Sequence, residues 1–192
     1  MSVQKQQMKG VQPSHHHWTR QQFEAMAAGG IFHPEERVEL IDGEIIDMSP
    51  QEAKHATATR LVEEALRLVF SKGCDVRVQM PLALDHASQP EPDIAVVSGY
   101  PRDYRDAHPT TALLVVEVAG SSLAFDQGPK RNLYARCQIP EYWIVKLRES
   151  CLEVYRKPKN GQFEEIQRFQ ENDRVTPLHG DGGAVQVADI LP

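Results

Sequence analysis

The sequence predicts an α/β fold: a mixed β-sheet flanked by helices, preceded by a short helix and a hairpin and followed by an antiparallel meander. Three observations carry this prediction. Apolar residues recur at helical spacing over 51–71, three strand-like runs follow at 76–80, 93–97 and 112–118, and a second helical stretch over 123–138 leads into a buried run at 141–145. Beyond that point short alternating runs are separated by polar turns, as in antiparallel strands.

In chain order, residues 1–17 are polar and without periodicity, so they read as a flexible leader ahead of a single domain spanning 18–192. His15, His16 and His17 in that leader read as a solvated tail, since nothing near them in sequence supplies a fixed further metal ligand. Thr19 followed by Gln22 is a capping box, and Phe23, Met26 and Ala27 then share one helical face until Gly29 and Gly30. Residues 37–47, RVELIDGEIID, place Asp42-Gly43 between two alternating runs and predict a hairpin with a type I′ turn. Ser49, Pro50 and Glu52 read as N-cap, N1 and N3 of a helix carrying Ala58, Leu61, Val62, Ala65, Leu66 and Val69, which Gly73 ends. Val76 to Met80 alternates as a half-buried strand, and 93–97 is a continuous apolar run joined to it by the turn-rich residues 86–90. Residues 112–118, ALLVVEV, form the most hydrophobic segment and the expected central strand. Leu133, Tyr134 and Cys137 mark the second helix, which Ile139-Pro140 stops before the strand 141–145. The runs beginning at Cys151, Phe163 and Arg174, with Asn160-Gly161 as a turn, should extend the sheet as a meander.

The chain has 192 residues, 41% of them hydrophobic and 25% charged, which excludes a disordered segment or a coiled coil. No apolar run approaches the roughly 20 residues of a membrane helix, the N-terminus lacks a signal-peptide core, and three cysteines form neither a disulfide framework nor a metal spacing. A cytoplasmic address with free thiols is expected, with no membrane partner. The formal charge is −6, yet residues 130–159 alone carry +5, so a basic C-terminal half facing phosphate and a solvated charged face are both compatible with the asymmetry.

Glu117 lies inside LLVVEVA, where a carboxylate without a partner would cost several kcal/mol or be forced neutral. Asp93 opens another buried strand. If the two strands are neighbours, their carboxylates can converge on a hard cation such as magnesium, and Lys130, on the following helix, can reach back to them. Two carboxylates and a lysine are the minimal equipment for hydrolysing a phosphodiester. The competing readings are a buried structural Glu117–Lys130 ion pair, and an Asp126–Lys130 pair along one helix.

The segments ELIDGEIIDMSP (39–50), the helix beginning near His55, PEPDIAVV (90–97), LLVVEVAGSSL (113–123) and DQGPKRNLYARCQIPEYWIV (126–145) resemble the Uma-type restriction endonuclease family, predicted nucleases of the PD-(D/E)XK, restriction-endonuclease-like fold. The likeness covers about residues 20–156. It implies that Asp93 is the motif aspartate and Glu117 the motif acid. Glu117-Val118-Ala119 has no lysine two residues on, so the resemblance assigns that role to Lys130, and it places Glu39 near the site as an additional glutamate. The resulting expectation is a magnesium-dependent endonuclease, with manganese as a substitute, acting on nucleic acid, with DNA the first expectation and the choice between DNA and RNA left open. Asp93, Glu117 and the Val118 carbonyl would hold the metal, Lys130 would assist the attacking water, and Gln79 and His55 would stand behind them. A homodimer would supply two sites for cutting both strands. The rival expectation is an inactive DNA-binding or assembly module of the same fold.

Overall fold

The computed structural model describes residues 15–48 and 50–192. Most of the expected leader, and Ser49 as an N-cap, lie outside the described residues. Thr19 caps α1 (Arg20–Ala28) through the expected capping box, and Phe23 is its buried residue, packed against Phe32 with ring centroids 5.5 Å apart. β1 (Val38–Ile41) and β2 (Glu44–Asp47) form the antiparallel hairpin. Asp42 and Gly43 turn it with φ of 51° and 81°, the pair of left-handed residues that a type I′ turn needs.

α2 runs over Ala53–Val69 with Glu52 as its N-cap, so Gln51 and Glu52 stand outside the helix predicted over 51–71, and the C-cap is Phe70. Its buried face is Ala58, Thr59, Val62, Leu66 and Val69. The six strands that follow are β3 (Cys74–Val78), β4 (Ile94–Ser98), β5 (Leu114–Ala119), β6 (Glu141–Lys146), β7 (Cys151–Lys159) and β8 (Gln162–Gln170), hydrogen-bonded in that order. All neighbours are antiparallel except β5 and β6. A parallel pair demands a crossover, and the segment between these two strands supplies it.

That crossover is not the single helix expected over 123–138. It consists of α3 (Leu123–Phe125), a π-helical turn (Asp126–Lys130) and α4 (Arg131–Arg136). Pro129 has no N–H to return to the carbonyl four residues back, and the Arg131 N–H reaches the Asp126 carbonyl five residues back instead.

The sheet is buried on both faces, which is why β4, β5 and β6 read as continuous apolar runs. One face packs Val76, Val96, Val116 and Val154 against α2 and the C-terminal residues Val187 and Ile190. The other packs Ala95, Val115 and Ile144 against Tyr134, Tyr142, Tyr155 and Phe163. Arg174-Val175 does not extend the sheet as expected: it forms β9 and pairs with β10 (Val185–Gln186) in a separate two-stranded ribbon. These residues are the minimum for a ladder, too short to show a period in sequence. Among the described residues, no helix is long and apolar enough to cross a membrane.

Candidate active site

The sheet register brings the acids together. β4 and β5 are antiparallel with Ile94 opposite Val116, so Asp93, just before β4, meets Glu117 near the end of β5. Glu117 alternates with Val115 and Ala119 and therefore points to the face covered by α4. Lys130, at the end of the π turn, reaches over the strand end. Its Nζ lies 3.0 Å from Glu117 Oε1 and 3.1 Å from Glu39 Oε1. The Tyr134 hydroxyl donates to the same Glu117 oxygen at 2.8 Å, and the Glu91 N–H donates to Glu39 Oε2 at 3.1 Å.

Asp93 is equally occupied. The Val118 N–H donates to Asp93 Oδ2 at 2.8 Å, His55 Nε2 lies 3.1 Å from that oxygen, and Gln79 Nε2 donates to Oδ1 at 3.1 Å. Gln79 follows β3 at φ 51°, and this left-handed turn accompanies an amide directed at the carboxylate rather than outward. The structure thus gathers Glu39, His55, Gln79, Asp93, Glu117, Val118 and Lys130 at one end of the sheet. At Val118 it is the amide N–H that contacts Asp93.

The rival pairing of Lys130 with Asp126 is not what forms. Asp126 takes a hydrogen bond from Ser122 Oγ at 2.7 Å, while Lys130 turns to Glu117 and Glu39. Sequence reasoning used Tyr134 only to mark the second helix and missed its bond to Glu117. The signal available was its place four residues after Lys130.

Burial sets the electrostatics. Glu39, Asp93, Glu117, Asp126 and Lys130 are each at most 7% exposed. Burial, reinforced by the carboxylates of Asp126, Asp93 and Glu39, pushes the Glu117 carboxyl well above its usual range against the pull of Lys130. Burial also opposes the charge on Lys130, but Glu117, Glu39 and Asp126 outweigh it and keep the ammonium protonated. Burial likewise opposes the charge on Asp93, yet His55, the Val118 amide and Gln79 hold its carboxyl below the usual range. The hydrogen bond to Asp93 raises the pKa of the His55 imidazole, with burial opposing it.

Glu39, His55, Asp93, Glu117, Asp126 and Lys130 line a cleft of about 220 Å³ walled by the hairpin, the start of α2 and the loop after β5. Four buried carboxyl groups, Glu39, Asp93, Glu117 and Asp126, crowd around one buried ammonium and one partly buried imidazole, and this crowding adds to burial in raising the Glu117 and Asp126 carboxyls. An all-oxygen donor set in that condition fits a hard divalent cation. Among the described residues, no three His, Cys, Asp or Glu side chains are grouped to hold an ion by themselves, so water would complete the shell of any ion held by Asp93 and Glu117.

The basic stretch 130–159 is largely neutralised in the fold. Lys130, Arg136, Lys146, Arg156, Lys157 and Lys159 are all in ion pairs, with Glu117, Asp42, Glu153, Glu141, Glu165 and Glu164 among their partners. The solvated charged face, rather than an open basic stripe, is the reading that these pairs favour.

A six-stranded mixed sheet with one parallel pair, flanked by helices, and with acids at the meeting of two antiparallel strands defines the restriction-endonuclease-like α/β class. A crystal structure of "a putative nuclease belonging to DUF820" from Anabaena variabilis is similar to this chain, with a TM-score of 0.71 and 16% sequence identity over 90% of this chain and 96% of that one. The chain belongs to the Uma2 family, described as "Putative restriction endonuclease", which it matches over residues 20–184. No curated protein matches it. Family and fold together make the chain nuclease-like.

Proposed function

We propose that the protein is a divalent-metal-dependent endonuclease that hydrolyses phosphodiester bonds of DNA, with Asp93, Glu117, Lys130 and Glu39 as its working residues. The observation that carries the reading is the buried contact of Lys130 with both Glu117 and Glu39, beside Asp93, in a cleft that opens to solvent. Asp93 and Glu117 would hold magnesium or manganese, with the Val118 carbonyl as a further ligand, and the ion would polarise the phosphate and its own bound water.

The chain's own residues have separable tasks. The Lys130 ammonium, fixed by two carboxylates, places a positive charge where negative charge develops on the phosphate and water. Glu39 holds that ammonium in place and is itself held by the Glu91 amide. His55 and Gln79 fix both oxygens of Asp93, so its orientation is set before substrate arrives. Cutting both strands of a duplex calls for two such sites, and the reading includes a two-fold dimer, which light scattering would detect. Three unbridged cysteines support a cytoplasmic setting. The rival reading as an inactive DNA-binding module draws little support from a basic stretch in which six of eight charges are already paired.

The test is nicking and linearisation of supercoiled plasmid with magnesium or manganese, by the intact protein and by folded Glu117→Ala and Lys130→Ala variants. Cutting that requires metal and vanishes in both variants is the expected result. An intact protein that binds DNA but cuts neither DNA nor RNA overturns the proposal in favour of the binding module.

A further inference from the structure

Hydrolysis of a phosphodiester needs a group that takes the proton of the attacking water, and most of the groups around the cleft are occupied. Lys130 is held as an ammonium by Glu117 and Glu39 and has no lone pair to offer. Both oxygens of Glu39 accept hydrogen bonds or an ion pair, from Lys130 and from the Glu91 amide. Both oxygens of Asp93 are engaged by Val118, His55 and Gln79. One oxygen of Glu117 accepts from Lys130 and Tyr134, and the other faces the Asp93 amide at 3.4 Å.

Asp126 differs from all of these. It is 2% exposed and lines the same cleft. Oδ2 is held by Ser122 Oγ at 2.7 Å, and Oδ1 has no hydrogen-bond partner among the described residues. The π turn that contains Pro129 carries both residues: Asp126 and Lys130 are four residues apart on a turn broader than an α-helical one, and both border the cleft.

Resting on the nuclease reading above, we propose that Asp126 is a further catalytic residue, the proton acceptor for the attacking water. Its free oxygen takes a proton as the water oxygen bonds to phosphorus. The bond from phosphorus to the O3′ leaving group breaks with its electron pair on that oxygen, and the proton held by Asp126 passes to it, directly or through water. The products are a 5′-phosphate and a 3′-hydroxyl, and the carboxylate is regenerated. In the metal-free cleft, burial, with Asp93 and Glu39 adding to it against Lys130 and Ser122, pushes the Asp126 carboxyl up to about 6. The charged groups that face it are Lys130 on its own turn, Glu117 on β5, Asp93 at the start of β4, Glu39 on β1 and His55 on α2.

The experiment is single-turnover cleavage of an oligonucleotide from pH 5 to 9 by the intact protein, Asp126→Asn, Ser122→Ala and Glu117→Ala. It is paired with binding of an uncleavable phosphorothioate strand and a ¹³C NMR titration of the Asp126 carboxyl in metal-free protein. Asp126→Asn should bind the strand as tightly as the intact protein, cut roughly 10²- to 10⁴-fold more slowly, and lose the acid limb of the pH profile. Ser122→Ala removes a hydrogen bond that favours the charged carboxylate, so the acid limb should move to higher pH, a readout that survives should Asp126→Asn fail to fold. An Asp126→Asn variant that keeps its rate, a Ser122→Ala limb that stays in place, or an Asp126 carboxyl that titrates in the ordinary carboxylate range overturns the proposal. If Glu117→Ala abolishes cutting and Asp126→Asn does not, the proposal for Asp126 alone falls. If the intact protein cuts nothing, the nuclease reading and this proposal fall together.

Discussion

Replacing Lys130 by methionine keeps most of the side-chain volume and deletes the charge that two carboxylates share. Lys130 is 4% exposed, its Nζ lies 3.0 Å from Glu117 and 3.1 Å from Glu39, and Tyr134 is the one other donor among the described residues to the Glu117 oxygen it touches. Removing one partner of such a buried pair leaves an uncompensated charge and costs about 3–5 kcal/mol, far more than the net worth of the pair itself. With a urea dependence of about 2 kcal/mol per molar, the unfolding midpoint should fall by about 1.5–2.5 M. The assay is urea unfolding followed by circular dichroism at pH 8 with chelator present, so that no metal ion replaces the ammonium. Adding Glu117→Gln to Lys130→Met should recover part of the loss, because the orphaned carboxylate is then neutral. A Lys130→Met midpoint equal to that of the intact protein would refute the reasoning: the ammonium would then be neither buried nor paired in solution.

Two further predictions concern regions away from the cleft. Burial opposes the charge on Glu153, but hydrogen bonds from Tyr155, Lys146 and Gln127 outweigh it and hold its carboxyl below the usual range. A lowered folded pKa contributes stability above the unfolded value of about 4.3 that is lost as pH falls through the folded one. Urea midpoints measured between pH 7 and 3 should therefore fall less steeply on the acid side in Glu153→Gln than in the intact protein. At the hairpin, Gly43 has φ 81° and a Cβ there would lie 2.7 Å from His17 Cβ, whereas Gly73 at φ 69° faces open space. Both alanine variants incur left-handed strain of about 1–2 kcal/mol, and thermal unfolding should show Gly43→Ala to be the more destabilised of the two.

The local signals in the sequence translated directly into structure. The Thr19 and Gln22 capping box and the Asp42-Gly43 turn formed as read, because each depends only on neighbours in the chain. β5 was legible for a different reason: a strand buried on both faces and paired on both edges must be apolar throughout, so Glu117 stood out as the exception. Competing local signals misled at the start of α2, where Pro50 and Glu52 fit a first turn but Glu52 became the cap. The π turn was missed since a periodicity search assumes one pitch, although Pro129 was visible.

At the site, the residue types and the Glu117–Lys130 pairing were legible, and the remaining partners were not. Asp93, Glu117 and Lys130 could be singled out by their places on buried elements. Which oxygen meets which nitrogen depends on sheet register and on contacts far apart in the chain, such as Glu39 with Lys130 and Gln79 with Asp93. The charge excess over 130–159 illustrates the same limit, for its partners include Asp42, Glu164 and Glu165, outside the stretch.

The most direct test of the nuclease reading is the cleavage rate of Glu117→Gln. This change keeps the shape of the side chain and an oxygen that can accept from Tyr134 and Lys130, while removing the negative charge needed to hold a cation. The expected result is a folded protein whose metal-dependent cutting of plasmid falls at least about 10²-fold. A folded Glu117→Gln protein that cuts as fast as the intact one would contradict it and leave the cluster as a structural ion pair.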